Sequence, residues 1–401
     1  MSAPLPTAVY VHFPWCERKC PYCDFASWAA EPNRIPSAEY TDAVRRELLA
    51  RAPMLEGRSL QSIFVGGGTP SLWPPRHLAE VLEAIRAAFD TVADDLEVTV
   101  ECNPRSLSTR TAAQLAEAGV NRLSVGVQSL HEEGLRYLGR AHDGASALRA
   151  VRDAARHVPR VSADLIFGWP GLTCSGLLRD AEQLLEAGAR HLSTYALTIE
   201  AGTRFGELHR RGLLPVADET EQADQYEALA ERLPLLGLRH YEVSNWASPG
   251  QEARHNQHVW RGGDYLGLGA AAVGCLSEPR KTWRAARRYR NEPLPGRYRQ
   301  RLRAARLFSY SLPRERLPWE AEVEWLTSEQ RVQEAWMLGL RTLEGVDVES
   351  VRTRTGLDPR HGRRTTLVRL QETGRILQEG RIVRVPTKHW LLLDGIVREL
   401  F

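Results

Sequence analysis

A regular alternation of β-rich and helical segments over roughly the first 250 residues constrains the fold of this chain more than any other feature. β-branched and aromatic runs predict strands, and apolar residues three or four positions apart predict helices between them. The predicted strands are Ala8–Phe13, Leu60–Val65, Leu96–Glu101, Arg122–Val127, Val161–Phe167 and His191–Thr198. The predicted helices are Ala38–Arg51, Pro75–Phe89, Thr109–Ala118, Ala145–His157 and Leu177–Ala187. Six such βαβ repeats predict an α/β fold whose parallel sheet curls into a partial barrel.

The pattern changes after about residue 275 and predicts three parts. Residues 1–275 are expected to form the barrel domain, residues 276–310 a connector and residues 311–401 a C-terminal domain. Arginines crowd the stretch from 280 to 306, and a solvated helical connector is favoured there over a basic interaction surface.

The last part of the chain combines helical and β-rich patterns. Amphipathic periodicity predicts helices over Thr327–Leu340 and Arg363–Glu372. Two β-rich runs follow, Arg381–Val385 and Trp390–Val397, and are expected to pair as a hairpin. This order predicts a small α+β domain that resembles a winged helix.

Composition excludes several classes of protein. The chain has 53 Lys and Arg against 50 Asp and Glu, and this near balance is not typical of a dedicated nucleic-acid binder. We find no stretch of about 20 apolar residues that would predict a membrane span. The N-terminal segment lacks the basic region and cleavage site of a secretory signal, so we expect a cytoplasmic protein.

Three of the six cysteines lie on one short loop after the first predicted strand, as Cys16-Glu-Arg-Lys-Cys20-Pro-Tyr-Cys23. In a reducing compartment such spacing indicates metal binding rather than disulfides. Three thiolates can bind three irons of a [4Fe–4S] cubane and leave the fourth iron open for S-adenosylmethionine. The alternative is a zinc site with His12 as the fourth ligand. The other three, Cys102, Cys174 and Cys275, are expected to be small buried apolar residues.

Polar and glycine-rich segments follow the later strands at the end where parallel α/β barrels collect their chemistry. The second strand ends in Gly66-Gly67-Gly68-Thr69-Pro70, which lacks the Lys of a nucleotide P-loop. A glycine triplet alone is more often a tight turn, but after the cysteine loop it is expected to form a cofactor cradle, in which its N–H groups can meet a carboxylate. The following strands carry Glu101, Gln128 and Asp164, with Arg140 nearby, and these could bind a ribose, an amine or a carboxylate.

These segments resemble the radical SAM family of oxygen-independent coproporphyrinogen III oxidases and their relatives, over nearly the whole chain. The matching segments are Tyr10-Val-His-Phe-Pro-Trp-Cys16, the cysteine loop, GGGTPS from Gly66, Glu101-Cys-Asn-Pro104, Leu123-Ser-Val-Gly-Val-Gln128, Gly139-Arg140-Ala-His142 and Asp164-Leu-Ile-Phe-Gly168. The resemblance implies that S-adenosylmethionine contacts Tyr10, Tyr22, Gly67, Gly68, Thr69, Glu101, Gln128, Arg140 and Asp164.

Within that family the chain is more similar to the heme chaperone (HemW) branch than to the true oxidases. The oxidases carry a further cysteine where this chain has Phe25, and they have a longer extension before Tyr10. The heme chaperones have a His-Asn-x-x-Tyr-Trp motif linked to heme binding. Here the segment reads His255-Asn256-Gln257-His258-Val259-Trp260, with Val in place of Tyr. The resemblance implies that His255, Asn256 and Trp260 contribute to heme binding, with His255 as a candidate axial ligand.

Three functions follow from the resemblance. The favoured one is a carrier that binds heme and transfers it to an acceptor protein, with the cluster and S-adenosylmethionine assisting. The alternative is an oxygen-independent coproporphyrinogen III oxidase, which would need a low-potential electron donor to cleave S-adenosylmethionine. A radical methyltransferase is the weakest alternative. Phe25 and the retained His255 favour the carrier, whereas Val259 leaves room for the enzyme.

Overall fold

The computed structural model describes residues 4–277, 286–305 and 315–401. The strands are β1 (Leu5–Phe13), β2 (Trp15–Cys16), β3 (Trp28–Ala29), β4 (Arg58–Gly67), β5 (Thr91–Cys102), β6 (Arg122–Gln128), β7 (Arg160–Phe167), β8 (His191–Ala196), β9 (Arg239–Glu242), β10 (Asn245–Ala247), β11 (Asp264–Leu268), β12 (Val273–Ser277), β13 (Ala286–Asn291), β14 (Glu320–Leu326), β15 (Val346–Asp347), β16 (Leu377–Glu379) and β17 (Ile382–Arg384). The helices are α1 (Ser37–Arg51), α2 (Pro75–Ala87), α3 (Thr109–Glu117), α4 (Glu132–Tyr137), α5 (Gly144–His157), α6 (Cys174–Glu186), α7 (Arg204–Arg210), α8 (Glu219–Leu235), α9 (Arg254–Trp260), α10 (Pro295–Ala304), α11 (Ser328–Gly339), α12 (Val348–Thr355), α13 (Arg364–Glu372) and α14 (Leu393–Arg398).

The predicted partial barrel is confirmed. Its six strands are β1 and β4 to β8, and each runs parallel to its neighbour in the order in which they occur along the chain. The five predicted helices are α1, α2, α3, α5 and α6, with ends within three residues of the predicted ones. The strands carry Val, Ile and Leu on the side that packs under the helices, and the barrel interior receives polar side chains such as Ser62, Glu97 and Asp164.

Strands that the sequence did not predict widen the sheet on both sides. β11 pairs parallel with β1, and β12, β13 and β14 follow it antiparallel. On the other side β10 and β9 are added antiparallel to β8. The described residues of this sheet therefore form twelve strands, seven of them parallel.

The predicted helical connector is wrong over residues 286–291, which form β13. The high arginine content predicted a solvated segment. Arg287 is instead almost fully buried and forms an ion pair with Glu320 at 2.6 Å. α10 does confirm a helix within the Arg-rich stretch. The parts of the connector at 278–285 and 306–310 lie outside the described residues, and the three predicted domain boundaries stay a prediction.

The described residues of the C-terminal region form four helices, α11 to α14, and a small sheet in the order β15-β17-β16, which agrees with the predicted α+β layout. The predicted strand over Trp390–Val397 is wrong, because these residues form a 3-10 turn followed by α14. Its buried residues Trp390, Leu393, Ile396 and Val397 have the three-to-four spacing of a helix. The hairpin partner of β17 is β16, joined through Gly380 at φ 61°.

A buried carboxylate in α1 ties the added strands to the barrel. Glu47 is fully buried and accepts hydrogen bonds from five groups. One of them lies one helical turn away in α1, and the other four lie far away along the sequence. The five donors are Arg51 Nε at 2.8 Å, Asn291 Nδ2 at 2.8 Å, the Gly269 amide at 2.9 Å, Tyr298 Oη at 2.5 Å and Trp319 Nε1 at 3.2 Å. Asn291 Nδ2 also donates to the Gly269 carbonyl at 2.8 Å, whereas the other four donors depend on Glu47 and would be costly to bury without it.

We predict that Glu47→Ala lowers the free energy of unfolding by about 3–5 kcal/mol, because it removes one of the two carboxylates that pair with the buried Arg51 and the acceptor of several other buried donors. Chemical unfolding followed by circular dichroism measures this change. The control is Asp42→Asn, an exposed carboxylate of the same helix, which should change stability by less than about 0.5 kcal/mol. Equal stability of the two variants would contradict the role given to Glu47.

Candidate functional site

The carboxyl ends of the barrel strands surround a cavity of about 500 Å³. The register places Val65 opposite Val100, so the glycine triplet that follows Val65 lies beside the end of β5. Eight of the nine residues predicted to contact S-adenosylmethionine line this cavity, and so do all three cysteines of the loop. The eight are Tyr22, Gly67, Gly68, Thr69, Glu101, Gln128, Arg140 and Asp164. The ninth, Tyr10, lines a neighbouring cavity.

The cysteine loop is held over the cavity by its own backbone and by Lys19. The Cys23 amide donates to the Cys20 carbonyl at 3.2 Å. Lys19 Nζ donates to the Phe25 carbonyl at 2.9 Å and to the Ser27 carbonyl at 3.3 Å. β2 and β3 pair across the base of the loop. All three thiols are half-buried and not in disulfides.

The donor set fits an iron–sulfur cluster better than a single metal ion. Among the described residues, no three His, Cys, Asp or Glu side chains come close enough together to hold one ion. The cysteines of a cubane bind different irons, so their sulfur atoms need not converge on one point. Burial raises the pKa of the Cys16 and Cys23 thiols, so cluster binding must supply the free energy that deprotonates them.

His12 does not support the zinc alternative. Its Nδ1 is 2.9 Å from Tyr10 Oη, and its Nε2 is 2.9 Å from the Ala26 carbonyl oxygen. Both ring nitrogens are therefore engaged within the protein, and neither is directed at the three thiols. Burial lowers the pKa of His12 to about 4, which keeps the ring neutral in these hydrogen bonds.

The glycine triplet acts differently from the prediction. Its N–H groups were expected to meet a cofactor carboxylate, but the Gly67 amide donates to Glu101 at 3.0 Å and the Gly68 amide donates to the Phe13 carbonyl at 2.7 Å. The next amide, that of Thr69, donates to the Trp15 carbonyl at 2.7 Å. The triplet thus joins the cysteine loop to β5. Gly67 has φ 110°, and a Cβ there would lie 2.5 Å from the His12 ring, so no other residue fits.

Gln128 adopts a left-handed backbone conformation, φ 68°, at the end of β6, and its side chain lines the cavity. Such a conformation is rare for a residue with a side chain and is found often at functional sites. The buried Asp180 of α6 holds the next turn by accepting from the Leu130 amide at 2.9 Å and from Ser129 Oγ at 3.2 Å. Asp180 is not among the residues predicted from the sequence. The signal was a carboxylate on the apolar face of α6, between Leu177 and Leu184.

Arg140 brings a half-buried positive charge to the thiols. Its Nη1 is 3.4 Å from Cys20 Sγ, and its Nη2 donates to the Gly126 carbonyl at 2.8 Å. Its Nε is buried and has no hydrogen-bond partner among the described residues. A guanidinium with unused hydrogen-bonding capacity beside the cavity suits a ligand carboxylate.

Two half-buried carboxyl groups, Glu101 and Asp164, face the same cavity. Burial, together with the nearby Asp164 charge, raises the pKa of Glu101 to about 7. Burial also raises the pKa of Asp164, which accepts from Ser124 Oγ at 3.1 Å. A ligand with a positive charge or hydroxyl groups, such as a sulfonium, an amine or a ribose, would stabilise the ionised form of these two carboxyl groups.

The candidate heme residues lie at the opposite end of the barrel. His255 is buried, with its Nδ1 3.0 Å from Ser62 Oγ and its ring 5.1 Å from that of Phe64. Ser62 is four residues before Gly66 on β4, about 13 Å away along a strand. Glu97 holds α9 in place by accepting from the amides of Arg254 and His255, each at 3.0 Å. The heme motif and the cysteine loop are therefore not brought together.

The other heme candidates are more accessible than His255. Asn256 and Trp260 are half-buried, and Trp260 lines a small cavity of about 110 Å³ outside the barrel. Its Nε1 is buried without a hydrogen-bond partner among the described residues. Burial lowers the pKa of His255 to about 3, so its imidazole is neutral, as an iron ligand requires. The ring would have to leave its place against Phe64 to ligate a macrocycle.

Comparison with known proteins identifies the family of this chain. The chain matches the radical SAM superfamily over residues 10–184 and the HemN C-terminal domain over residues 326–392. Heme chaperone HemW of Escherichia coli (strain K12) is 38% identical over 275 residues, which cover 68% of this chain and 71% of the relative. The chain belongs to the HemW branch of the HemN-like radical SAM family. Membership in this family implies a [4Fe–4S] cluster and S-adenosylmethionine as cofactors.

Other relatives extend the similarity over most of the chain. Radical S-adenosyl methionine domain-containing protein 1, mitochondrial, of Bos taurus is 35% identical over 402 residues, 98% of this chain and 87% of the relative. Among solved structures, coproporphyrinogen III oxidase (HemN) from Escherichia coli, described as a radical SAM enzyme, superposes with a TM-score of 0.78. It is 19% identical and covers 99% of this chain and 90% of that one, so the two share a fold.

We predict that replacing Cys16, Cys20 or Cys23 with Ala abolishes the broad visible absorbance of the reconstituted cluster, because each sulfur is expected to hold a separate iron. Iron and sulfide analysis checks the content. The control is Cys174→Ala, which removes a half-buried thiol at the start of α6. A loop variant that keeps full cluster content would show that its cysteine is not a ligand.

We predict that the affinity for S-adenosylmethionine falls below about pH 7, because Glu101 then takes up a proton and loses its negative charge. The fall should reach at most about tenfold per pH unit. Equilibrium dialysis with the reconstituted protein measures it, and Glu101→Gln should bind more weakly with a flatter pH profile. A steep profile that persists in Glu101→Gln would assign the pH dependence to another group.

Proposed function

We propose that this protein binds heme and transfers it to an acceptor protein. The similarity to heme chaperones of 31–38% identity carries the proposal. Phe25 supports it, because this exposed ring stands at the position where the oxidases resembling this chain have a further cysteine. None of the helices within the described ranges is long and apolar enough to span a bilayer. We propose the cytoplasm as the place of action.

The residues of the barrel mouth would hold the cofactors. Cys16, Cys20 and Cys23 would ligate the cluster, and Arg140, Glu101 and Asp164 would fix the carboxylate and the polar groups of S-adenosylmethionine. When bound, this pair supplies one-electron chemistry, for which a low-potential donor is needed. In a carrier, Arg140, Glu101 and Asp164 serve to bind and orient S-adenosylmethionine and to exclude water from the cluster.

The proposal is tested by adding heme to the anaerobically purified, cluster-reconstituted protein while following the Soret band. We expect saturable binding near one heme per chain. The same preparation, given coproporphyrinogen III, S-adenosylmethionine and a strong reductant, should release no protoporphyrinogen IX. Absence of heme binding together with turnover of coproporphyrinogen III would replace the carrier with the oxidase.

We predict that His255→Ala weakens heme binding by about tenfold or more without loss of cluster content, because α9 and the ring of Phe64 rest on this imidazole. Optical titration measures the affinity, and iron and sulfide analysis measures the cluster. His209→Ala, an exposed histidine of α7, is the control. Unchanged heme affinity in His255→Ala would exclude the His255 segment from heme binding.

A further inference from the structure

A second cavity of about 700 Å³ adjoins the cofactor cavity, and the two share Phe25, Gly67 and Glu101 as lining residues. It lies between the mouth of the barrel and the added strands. β13 and β14 supply much of its wall, through Arg288, Tyr289, Arg290, Glu322, Val323 and Glu324. Its volume is within the range of sites that enclose organic ligands.

The wall of this second cavity is largely apolar and carries aromatic rings. The rings of Tyr10 and Phe25 line one part and that of Tyr265 lines another, with Ala26, Ala271, Val273 and Val323 between them. Phe25 is 56% exposed, so its ring is available to a ligand. Flat rings with small apolar neighbours favour a flat apolar ligand, because stacking adds to the burial of apolar area.

Two arginines provide positive charge in the same wall. Arg288 and Arg290 are two residues apart on β13, so their side chains leave the same face of the strand, about 7 Å apart along it. Arg290 is about 43% exposed and contacts Glu322 at 3.9 Å, a long ion pair that leaves its hydrogen-bonding fork accessible. Arg288 contacts Glu324 at 3.1 Å and Glu334 at 2.6 Å. A guanidinium fork can bind a carboxylate through two parallel hydrogen bonds.

We propose that this cavity binds a flat macrocycle with two carboxylates on one edge, and that Arg288 and Arg290 hold those carboxylates. Given the proposed function, on which this inference rests, the ligand is heme and the carboxylates are its propionates. The shared walls at Phe25 and Glu101 place the macrocycle beside S-adenosylmethionine, so that binding of one ligand alters the site of the other.

This location assigns His255 a role without contact with iron. Its ring packs on Phe64 at 5.1 Å, Phe64 stacks on Tyr10 at 6.2 Å, and Tyr10 lines the second cavity. His255 is thus a positioning residue below the cavity wall. Its replacement should weaken the binding of heme and of metal-free protoporphyrin IX by the same factor. Loss of heme binding alone would instead make His255 an iron ligand.

The test compares zinc protoporphyrin IX with its dimethyl ester, in which both propionates are neutral, by fluorescence titration of the full-length, cluster-reconstituted protein. We expect Arg290→Gln to weaken the free acid by about 3–10-fold and to leave the ester unchanged, because only the acid offers a charged partner. Arg290 is preferred to Arg288, whose contacts join β13 to β14 and α11. The control is Arg232→Gln, a partly exposed arginine paired with Glu182 at 2.6 Å on the far side of the barrel.

The outcomes separate this inference from the proposed function. If the wild type binds heme and Arg290→Gln binds acid and ester as the wild type does, the second cavity is not the propionate site. If Arg290→Gln weakens acid and ester equally, the carboxylates are not held by Arg290. If the wild type binds no heme at all, the proposed function itself fails.

Discussion

Parallel pairing of β11, β1 and β4 to β8 brings seven strand ends to one edge of the sheet, and the chemistry of this protein depends on that alignment. Residues separated by more than a hundred positions, such as Cys20 and Arg140, come within 3.4 Å there. A parallel sheet needs helical crossovers, and each crossover returns the chain so that the next strand ends at the same edge. The cofactor cavity is therefore a direct consequence of the βαβ order.

Buried carboxylates connect the barrel to the added strands and to α9 and α10. Glu47 joins α1 to the segment after β11, to β13 and to α10, and so positions the wall of the second cavity. Glu97 performs a similar task at the other end of the barrel, where it holds the first amides of α9 and pairs with Arg160 at 2.6 Å. Both carboxylates are costly to bury, and each is compensated by several hydrogen bonds.

The barrel was predictable from sequence because its strands are continuous apolar runs and its helices are strongly periodic. The cysteine loop and the residues of the mouth could be predicted since strand ends meet at one edge. Trp390–Val397 was misread because a short apolar run does not distinguish a strand from a buried helix. Burial of Arg287 was not predictable, since its partner Glu320 is 33 residues away on an unpredicted strand.

The second cavity could not be predicted from the sequence either, because its wall depends on long-range strand pairing. Its wall combines β1, the cysteine loop and antiparallel strands from the far end of the sheet, and none of these pairings has a local signal. The position of His255 was also not foreseen, since an isolated motif does not reveal which end of a barrel it occupies. The His255 motif and the cluster loop are distant in space, so the motif reaches the second cavity only through Phe64 and Tyr10.

The central claim is that heme is carried and released intact. The most direct measurement loads the reconstituted protein with heme, adds S-adenosylmethionine, a reductant and an apo heme protein, and analyses the tetrapyrrole by mass spectrometry after separating the two proteins. We predict that unaltered heme moves to the acceptor and that the reconstituted protein retains its cluster. Heme that is chemically altered, or that stays on the reconstituted protein, would contradict a carrier function.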